Sequence, residues 1–203
     1  METTNIVITG VGGQGIILVS HILADSAKAS GLSVYVGEVH GMAQRGGVVH
    51  TYVRIGDIYS SLVPEGEADI VLSLEMGEAY RARNYLNSES WVITNQRRII
   101  PLSVVKGDAD YPEAEEIEKA LDGLGERTLS VDATKLARES GSEIAENVVM
   151  LGIMVATGVL PIEEEMIKEA IVDRVKEEWK EVNLKAFAAG LQKGQDLIAD
   201  LEL

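Results

Sequence analysis

Short apolar runs and one longer amphipathic segment alternate over the first 36 residues. Ile6 to Thr9 is a β-branched run typical of a buried strand, and apolar residues recur at helical spacing from Ile16 to Ala29. Gly31 follows as a C-terminal cap, directly before a second β-branched run at residues 33–36. The pattern predicts a β-α-β unit with parallel strands, and therefore an α/β fold.

The same alternation recurs along the middle of the chain. Val48 to Ile55 favours a strand, and Gly56-Asp57 before Ile58 predicts the turn of a hairpin, an antiparallel excursion at the sheet edge. Three more strands and three helical stretches are expected, at residues 68–74, 90–94 and 128–131 and at 75–86, 113–121 and from 133 onwards. Together these elements predict a Rossmann-like three-layer domain with a mostly parallel sheet.

Helical spacing dominates the C-terminal part. The apolar stretch from Asn147 to Ile162 predicts a buried helix, because Gly and Pro residues interrupt it before the roughly 20 residues that span a bilayer. Glu163 to Glu165 suit the first turn of the next helix, whose dipole favours negative charge there. Asn183 is expected to cap a last helix that runs through Leu201. We therefore expect a single domain over residues 1–203, with C-terminal helices from about residue 145.

One apolar face is predicted in this helical region. Six apolar residues lie approximately on one side when helical spacing is applied: Ile162, Met166, Ala170, Ile171, Trp179 and Val182.

The composition excludes several classes of function. The chain has 203 residues and no cysteine, which rules out iron–sulfur ligation, a cysteine nucleophile and disulfides in this chain. The net charge is −15, with 33 acidic against 18 basic side chains, so a nucleic-acid footprint is not expected. The first 100 residues carry 7 basic and 10 acidic side chains, and the rest carry 11 and 23. The start of the sequence lacks a secretory signal pattern, and a cytoplasmic protein without a membrane segment is expected.

The sequence GVGGQG at residues 10–15 stands between the first predicted strand and helix. In this position Gly10 suits a tight turn, Gly12 leaves the backbone open to a diphosphate, and Gly15 permits close helix–strand packing. Free N–H groups at the helix N-terminus attract anions, so the motif predicts a phosphate-bearing ligand. Gly13 and Gln14 make this version more distinctive. The alternative is that the glycines only allow the strand-to-helix turn.

An acidic residue about 20 positions further on would hold the ribose of a dinucleotide, and Glu38 stands there. This keeps open a self-sufficient NAD- or FAD-binding oxidoreductase, while the alternative for Glu38 is a solvated carboxylate at a strand end. A Walker loop is excluded, because no GK[ST] follows the glycines and the first lysine is Lys28.

A second glycine-rich segment, GEVHGMAQRGG, covers residues 37–47. Arg45 suits a bidentate clamp on a phosphate or carboxylate, while the flanking glycines keep the backbone open. The alternative is a mobile loop whose arginine pairs locally. We take six residues as a candidate substrate or partner loop: Glu38, His40, Gln44, Arg45, Gly46 and Gly47.

Catalytic and metal-ligating residues are not assigned in this chain. His21, His40 and His50 lack accompanying cysteines or a carboxylate cluster, and no nucleophile elbow or triad spacing occurs. Arg97 and Arg98 follow a predicted strand and are secondary candidates at the ligand-binding edge of a parallel sheet. An ordinary surface pair is the alternative for them.

These motifs in combination resemble a known family. GVGGQGI at 10–16, GEVHGMAQRGG at 37–47 and VRIG at 53–56 are similar to the gamma-type domain of 2-oxoacid:ferredoxin oxidoreductases, especially of the indolepyruvate type. The resemblance extends to NVVMLG at 147–152, Leu160-Pro161, and Asn183 with Ala186-Phe187 and Gly190, and so covers nearly the whole chain.

The resemblance implies the oxidative decarboxylation of an arylpyruvate with coenzyme A (CoA), giving an aryl-acetyl-CoA, carbon dioxide and reduced ferredoxin. It also implies that thiamine diphosphate and [4Fe-4S] clusters sit in a larger alpha subunit, since this chain has neither a GDG motif nor cysteine. The glycine loops would then face the partner's active site or the CoA path. CoA suits the GVGGQG turn, and the isolated chain is expected to self-associate through surfaces meant for its partner. A non-catalytic nucleotide-sensing module is a further alternative.

Overall fold

The computed structural model describes residues 3–40, 47–100, 104, 107, 111–123 and 125–201. Within this part of the chain, β-branched runs form one six-stranded sheet. In chain order the strands are β1 Thr4–Val11, β2 Val34–His40, β3 Val48–Ile55, β4 Ala68–Ser73, β5 Leu86–Asn95 and β6 Thr128–Val131. Their order across the sheet is β2-β3-β1-β4-β5-β6.

Only β3 runs against the common direction of the described strands. It pairs antiparallel with both β1 and β2, whereas β1, β4, β5 and β6 pair in parallel. The predicted α/β class with a mostly parallel sheet and an antiparallel excursion is confirmed. The first β-α-β unit is also present, but β3 is inserted between its two parallel strands.

The predicted position of the hairpin is wrong. The antiparallel hairpin joins β2 to β3, with Val34 opposite Ile55 at its open end and His40 opposite Val49 near its connection. Gly56 does bend the chain, with φ of +133°, and its N–H donates to the Ser33 carbonyl oxygen (2.9 Å). The chain then crosses to β4, which lies on the far side of β1, so this bend leads out of the sheet edge instead of closing a hairpin.

Helices cover both faces of the sheet and make three layers. They are α1 Ile16–Ala29, α2 Met76–Arg81, α3 Ala114–Asp122, α4 Ala133–Ser140, α5 Glu146–Ala156, α6 Glu164–Arg174 and α7 Lys180–Ala199. The main core joins the α1, α4, α5, α6 and α7 side to residues such as Ile6, Ile8 and Leu72. On the opposite face, α2 and α3 enclose a smaller cluster around Met76 and Ile117.

The C-terminal helices depart from the predicted pattern in two places. Helix α6 ends at Arg174, where Val175 is extended, and a short 3-10 turn at Glu177–Trp179 precedes α7. The predicted single apolar face is therefore broken by a non-helical segment, and Trp179 is 41% exposed. Asn183 does not cap α7, because the helix begins at Lys180; its amide Nδ2 donates to the Trp179 carbonyl oxygen inside the first turn (2.8 Å).

Helices α5 and α7 approach so closely that glycine is required at the contact. A Cβ on Gly190 would overlap the Val149 carbonyl oxygen, and one on Gly152 would lie 2.7 Å from the Leu191 backbone nitrogen. Real Cβ atoms do not approach backbone atoms this closely, so a side chain at either position would push the helices apart. This helix seam fixes α7 against α5.

The buried apolar helix at Glu146–Ala156 has 11 residues and packs within the core. None of the helices in the described ranges is long and apolar enough to cross a bilayer.

Candidate functional site

A cavity of about 780 Å³ opens at the carboxyl edge of the sheet, where the first glycine motif lies. Its walls come from the β1–α1 turn, from the segment after β5, from the start of α5 and from the α6–α7 connection. The lining residues are Val11, Gly12, Gly13, Gln14, Gly15, Leu18, Arg97, Ile99, Ser142, Glu143, Ile144, Ala145, Glu146, Asn147, Val175, Lys176, Trp179, Val182 and Asn183. A cavity of this size suits a nucleotide-sized molecule.

The structure requires glycine at these positions of the turn for reasons other than those predicted from the sequence. Gly10 lies within β1 and does not make the turn; a Cβ there would lie 2.8 Å from Gln14 Oε1 and 3.2 Å from the Leu74 Cβ. Gly13 and Gly15 adopt φ of +109° and +80°, which L side chains rarely adopt. Gly15 also touches the Asn147 side chain, so its close contact is with α5 and not with the sheet.

The N–H of Gly12 is already occupied. It donates to the Gly47 carbonyl oxygen (2.9 Å), which joins the GVGGQG turn to the start of β3. The two glycine motifs therefore meet in the structure, but this N–H is not available to a diphosphate.

Gln14 is a buried side chain that holds the turn in shape. Its Oε1 accepts from the Val11 N–H (2.8 Å), and its Nε2 donates to the Leu74 carbonyl oxygen at the end of β4 (2.5 Å). Both ends of the amide are thus engaged with the backbone of two adjacent strands. Gln14 therefore helps to hold the shape of the cavity that it lines, and its contact with a ligand stays a prediction.

The N-terminus of α1 is open towards the cavity. Gly15 provides no side-chain cap, and the first turn has no acidic residue. The first N–H groups of a helix have no intrahelical acceptor, and the positive end of the helix dipole favours an anion beside them. Leu18, one turn further on, lines the cavity. The turn that the sequence predicts to bind an anion therefore borders open volume, and its anion-binding role stays a prediction.

Arg97 and Glu146 form an ion pair in the cavity wall, with Nη1 2.5 Å from Oε1. The Glu146 side chain is only 4% exposed, and its Oε2 accepts from the Thr134 hydroxyl (2.7 Å). Asn95 completes this network, since its Nδ2 lies 3.4 Å from Glu146 and its Oδ1 accepts from the Ala133 N–H. The network ties the end of β5 to the first residues of α4 and α5.

Arg98 does not share this place with Arg97. Its Nη2 donates to the Pro112 carbonyl oxygen (2.7 Å), and its guanidinium lies 5.2 Å from the centre of the Tyr111 ring. Only Arg97 of the two predicted candidates lines the cavity, and it does so as the partner of a buried carboxylate instead of an ordinary surface residue.

A separate pair of buried carboxylates, Glu75 and Glu78, lies at α2 on the other side of the sheet. Glu75 caps α2, with Oε2 accepting from the Glu78 N–H (3.0 Å), and it also accepts from the Tyr111 hydroxyl. Burial raises the pKa of Glu78 to about 7, against the attraction of Arg81. Neither carboxylate lines the cavity, so this polar cluster belongs to the packing of α2.

Comparison with known proteins decides the family. The model of the pyruvate ferredoxin/flavodoxin oxidoreductase family matches residues 5–193. The chain belongs to this family. Indolepyruvate oxidoreductase subunit IorB of Thermococcus kodakarensis is 44% identical over 200 residues, which cover 98% of this chain and 99% of that protein.

Two further similarities agree with this assignment. Indolepyruvate oxidoreductase subunit IorB of Archaeoglobus fulgidus is 45% identical over 186 residues, 92% of each chain. The crystal structure of the keto/oxoacid ferredoxin oxidoreductase gamma subunit from Geobacter sulfurreducens PCA has a TM-score of 0.71 at 28% identity, covering 95% of this chain and 99% of that one. The resemblance inferred from the two glycine motifs is thereby confirmed.

The second glycine-rich motif of this chain lies only partly within the described residues. Gln44, Arg45 and Gly46 lie outside the described residues, and Gly47 contacts the first motif through its carbonyl oxygen. His40 ends β2, next to that connection. The proposed roles of this loop remain predictions.

Glu38 lies away from the cavity. Its Oε1 is 3.7 Å from His21 Nε2, and His21 Nδ1 lies 3.1 Å from Arg174 Nη1. Arg174 in turn pairs with Asp25 and holds the pKa of that carboxyl below its ordinary value. Because β3 separates β2 from β1, Glu38 is two strands away from the GVGGQG turn. This arrangement does not suit the ribose contact that a dinucleotide site needs.

Metal chemistry has no support in the described part of the chain, which contains no group of three or more metal-ligating side chains. His50 is half-buried, and its pKa is lowered by burial and by the nearby Arg81 charge.

Most of the other cavity residues were not predicted from the sequence, and three of them are prominent in its wall. Ile144, Lys176 and Trp179 line the site, and Ile144 is 80% exposed. For Trp179, the available signal in the sequence was a tryptophan flanked by charged residues. The other two carry no motif, because their position depends on where α5 and α7 are packed.

Proposed function

We propose that this chain is the cluster-free subunit of an indolepyruvate-type 2-oxoacid:ferredoxin oxidoreductase. The complete enzyme would convert an arylpyruvate and CoA into an aryl-acetyl-CoA and carbon dioxide, and pass two electrons to ferredoxin in the cytoplasm. The observation that carries this proposal is the similarity over nearly the full length of both chains to two indolepyruvate oxidoreductase subunits.

The redox and thiamine chemistry belongs to the partner in this proposal. Iron–sulfur clusters need thiolate ligands, and this chain has no cysteine. The chain also lacks a GDG motif, and its described residues contain no acidic cluster suited to the divalent ion that accompanies a diphosphate cofactor. Thiamine diphosphate and [4Fe-4S] clusters therefore do not fit this chain, and we assign them to a larger alpha subunit.

The contribution of this chain would be a part of the CoA site. The open N-terminus of α1 favours an anion, and Gly12, Gly13 and Gly15 line the cavity without side chains. The cavity volume of about 780 Å³ is large enough for a nucleotide-like molecule. We propose that the diphosphate of CoA lies at this turn, with Arg45 and the loop at 37–47 facing the reaction site in the partner.

The test is to produce this chain together with a cysteine-rich, thiamine-binding alpha subunit and to isolate the complex. We expect CoA-dependent reduction of ferredoxin with indolepyruvate only when both chains are present. Arg45→Ala should lower turnover or assembly while this chain stays folded. Arg83→Ala is the matched control, because Arg83 packs over Tyr80 on a helix outside the cavity.

Two results would contradict the proposal. One is an isolated chain that binds NAD or a flavin and forms no complex, which would favour a self-sufficient oxidoreductase. The other is a chain that associates with no cofactor-bearing subunit, which would favour a nucleotide-sensing module.

A further inference from the structure

One end of the cavity is formed by the connection between α6 and α7, which none of the sequence motifs includes. Val175, Lys176 and Trp179 line it, and Val182 follows in the first turn of α7. The Trp179 backbone is fixed at both of its polar groups. Its N–H donates to the Lys176 carbonyl oxygen (2.9 Å), and its carbonyl oxygen accepts from Asn183 Nδ2 (2.8 Å). The indole ring is thus held on a rigid support at the cavity wall.

The exposure of this ring requires an explanation. Trp179 is 41% exposed, whereas the other tryptophan, Trp91, is 6% exposed. A large aromatic side chain gains free energy when its faces are removed from water, and an exposed one at a cavity wall is a surface for stacking. Ile144, also exposed, adds apolar surface to the same cavity.

The charge beside this ring is positive and uncompensated. Two basic residues line the cavity, and Arg97 is neutralised by Glu146. Lys176 has no carboxylate within 4 Å among the described residues, although the chain as a whole has a net charge of −15. Glu143, an acidic neighbour in the lining, is paired with Arg138. A free ammonium group near an exposed indole suits a flat base that carries a phosphate.

Given the proposed function, we propose that Trp179 and Lys176 recognise the adenosine end of CoA. The Trp179 ring stacks on the adenine base, and the Lys176 ammonium pairs with the 3′-phosphate of the ribose. The diphosphate then lies towards the open end of α1, and the pantetheine chain continues to the partner subunit. A small 2-oxoacid would leave most of a cavity of about 780 Å³ unfilled, so the volume favours this larger ligand.

The proposal predicts selectivity for one phosphate group. CoA carries the 3′-phosphate, whereas dephospho-CoA and NAD do not. Because a phosphate contact to a single ammonium is a charge-assisted interaction, we expect CoA to bind about tenfold more tightly than dephospho-CoA. Loss of Lys176 should remove this difference and leave the affinity for dephospho-CoA unchanged.

The two tryptophans make a direct test possible. Trp91→Phe leaves Trp179 as the single fluorescent tryptophan of the chain. Titration of this variant with CoA should quench the fluorescence to saturation, and dephospho-CoA should need about tenfold more ligand. In the same background, Lys176→Ala should bring both affinities together. Lys135→Ala is the matched control, since Lys135 is an exposed lysine outside the cavity.

The assembled enzyme provides a second measurement. Trp179→Ala should raise the KM for CoA about tenfold with little change in kcat, and Trp179→Phe should restore most of the affinity because it keeps a stacking surface. Circular dichroism of each variant checks that this chain is folded.

Four outcomes would overturn the assignment of the adenosine end. These are the absence of saturable quenching in both the isolated chain and the complex, equal quenching by CoA and NAD, quenching by phenylpyruvate but not CoA, and an unchanged KM for CoA in Trp179→Ala and Lys176→Ala. If the wild-type complex shows CoA-dependent activity in any of these cases, the proposed function stands without this inference. A wild-type complex that needs no CoA would contradict the proposed function itself.

Discussion

Two glycine-rich regions of this chain serve opposite purposes. In the helix seam, a Cβ on Gly190 would overlap a carbonyl of the facing helix, so glycine is needed to bring two backbones into contact. In the GVGGQG turn, a Cβ on Gly13 would meet no atom within 4 Å and would face open space. Glycine in a family motif therefore marks either a packed contact or an open site, and the surrounding residues decide between them.

The largest effect should come from the helix seam. Gly190→Ala is expected to lower the free energy of unfolding by about 3 kcal/mol or more, because its Cβ has no space beside Val149. Urea denaturation followed by circular dichroism measures the change. Ala188→Gly in the same helix is the control for helix propensity, with an expected cost of about 1 kcal/mol. A Gly190→Ala protein as stable as the wild type would show that the seam can open without penalty.

The wall of the cavity is expected to depend on the Arg97–Glu146 pair. Arg97→Ala should cost about 2–3 kcal/mol, because Glu146 is buried and would lose its ionic partner. Adding Glu146→Gln to this variant removes the buried charge and should recover part of the loss. Thermal and urea unfolding of the single and double variants give the coupling. Identical stabilities of wild type and Arg97→Ala would mean that the pair does not hold the wall.

Substitution of Gln14 tests whether a side chain holds the turn in shape, whereas the helix seam depends on the absence of side chains. Gln14→Ala leaves the Val11 N–H and the Leu74 carbonyl oxygen without their partner, with an expected cost of about 1–2 kcal/mol. Gln192→Ala is the control, since the Gln192 side chain donates to Asp196 at an exposed position of the same helix as the seam. If both variants lose the same small amount in urea denaturation, Gln14 is not a structural tie.

The smallest effect on stability, and the sharpest for function, is expected at Gly13. Gly13→Ala and Gly31→Ala both place a side chain at positive φ with nothing within 4 Å, so each should cost about 1 kcal/mol. Only Gly13 lines the cavity, and only its variant should raise the KM for CoA in the assembled enzyme. Equal KM values in the two variants would remove the turn from the CoA site.

Local patterns predicted most of the elements, because they depend on nearby residues. Strand β6 at Thr128–Val131 and helix α1 at Ile16–Ala29 lie where β-branched runs and helical spacing indicated. The wrong predictions concern positions whose structure depends on contacts between residues far apart in the sequence. Asn183 is a residue type that favours an N-cap, yet α7 begins three residues earlier, at Lys180. The end of α6 at Arg174 sets where the next helix starts.

The site was predicted in part for the same reason. The turn at residues 10–15 is local and carries a motif, so its place at the end of β1 followed from the sequence. Glu38 was expected at a ribose because it follows at the right spacing, but the insertion of β3 moves its strand to the sheet edge. The spacing of residues along the chain does not indicate which strands become neighbours in the sheet.

The α/β class, the position of the glycine turn, the exclusion of iron–sulfur ligation and the family all follow from the amino-acid sequence alone. These follow from periodicity, composition and short motifs, which act within one element or between adjacent ones. The long-range contacts required the three-dimensional structure. The buried Gln14 side chain hydrogen-bonds to the backbone at the ends of two strands, and Arg97 pairs with Glu146. Lys176 and Trp179 line the same cavity as the glycine turn. Arg97 and Glu146 are 49 positions apart, and Lys176 and Trp179 lie near the other end of the chain from the turn. Only the packing of α5 on the sheet, and of α7 on α5, brings such distant residues into one wall.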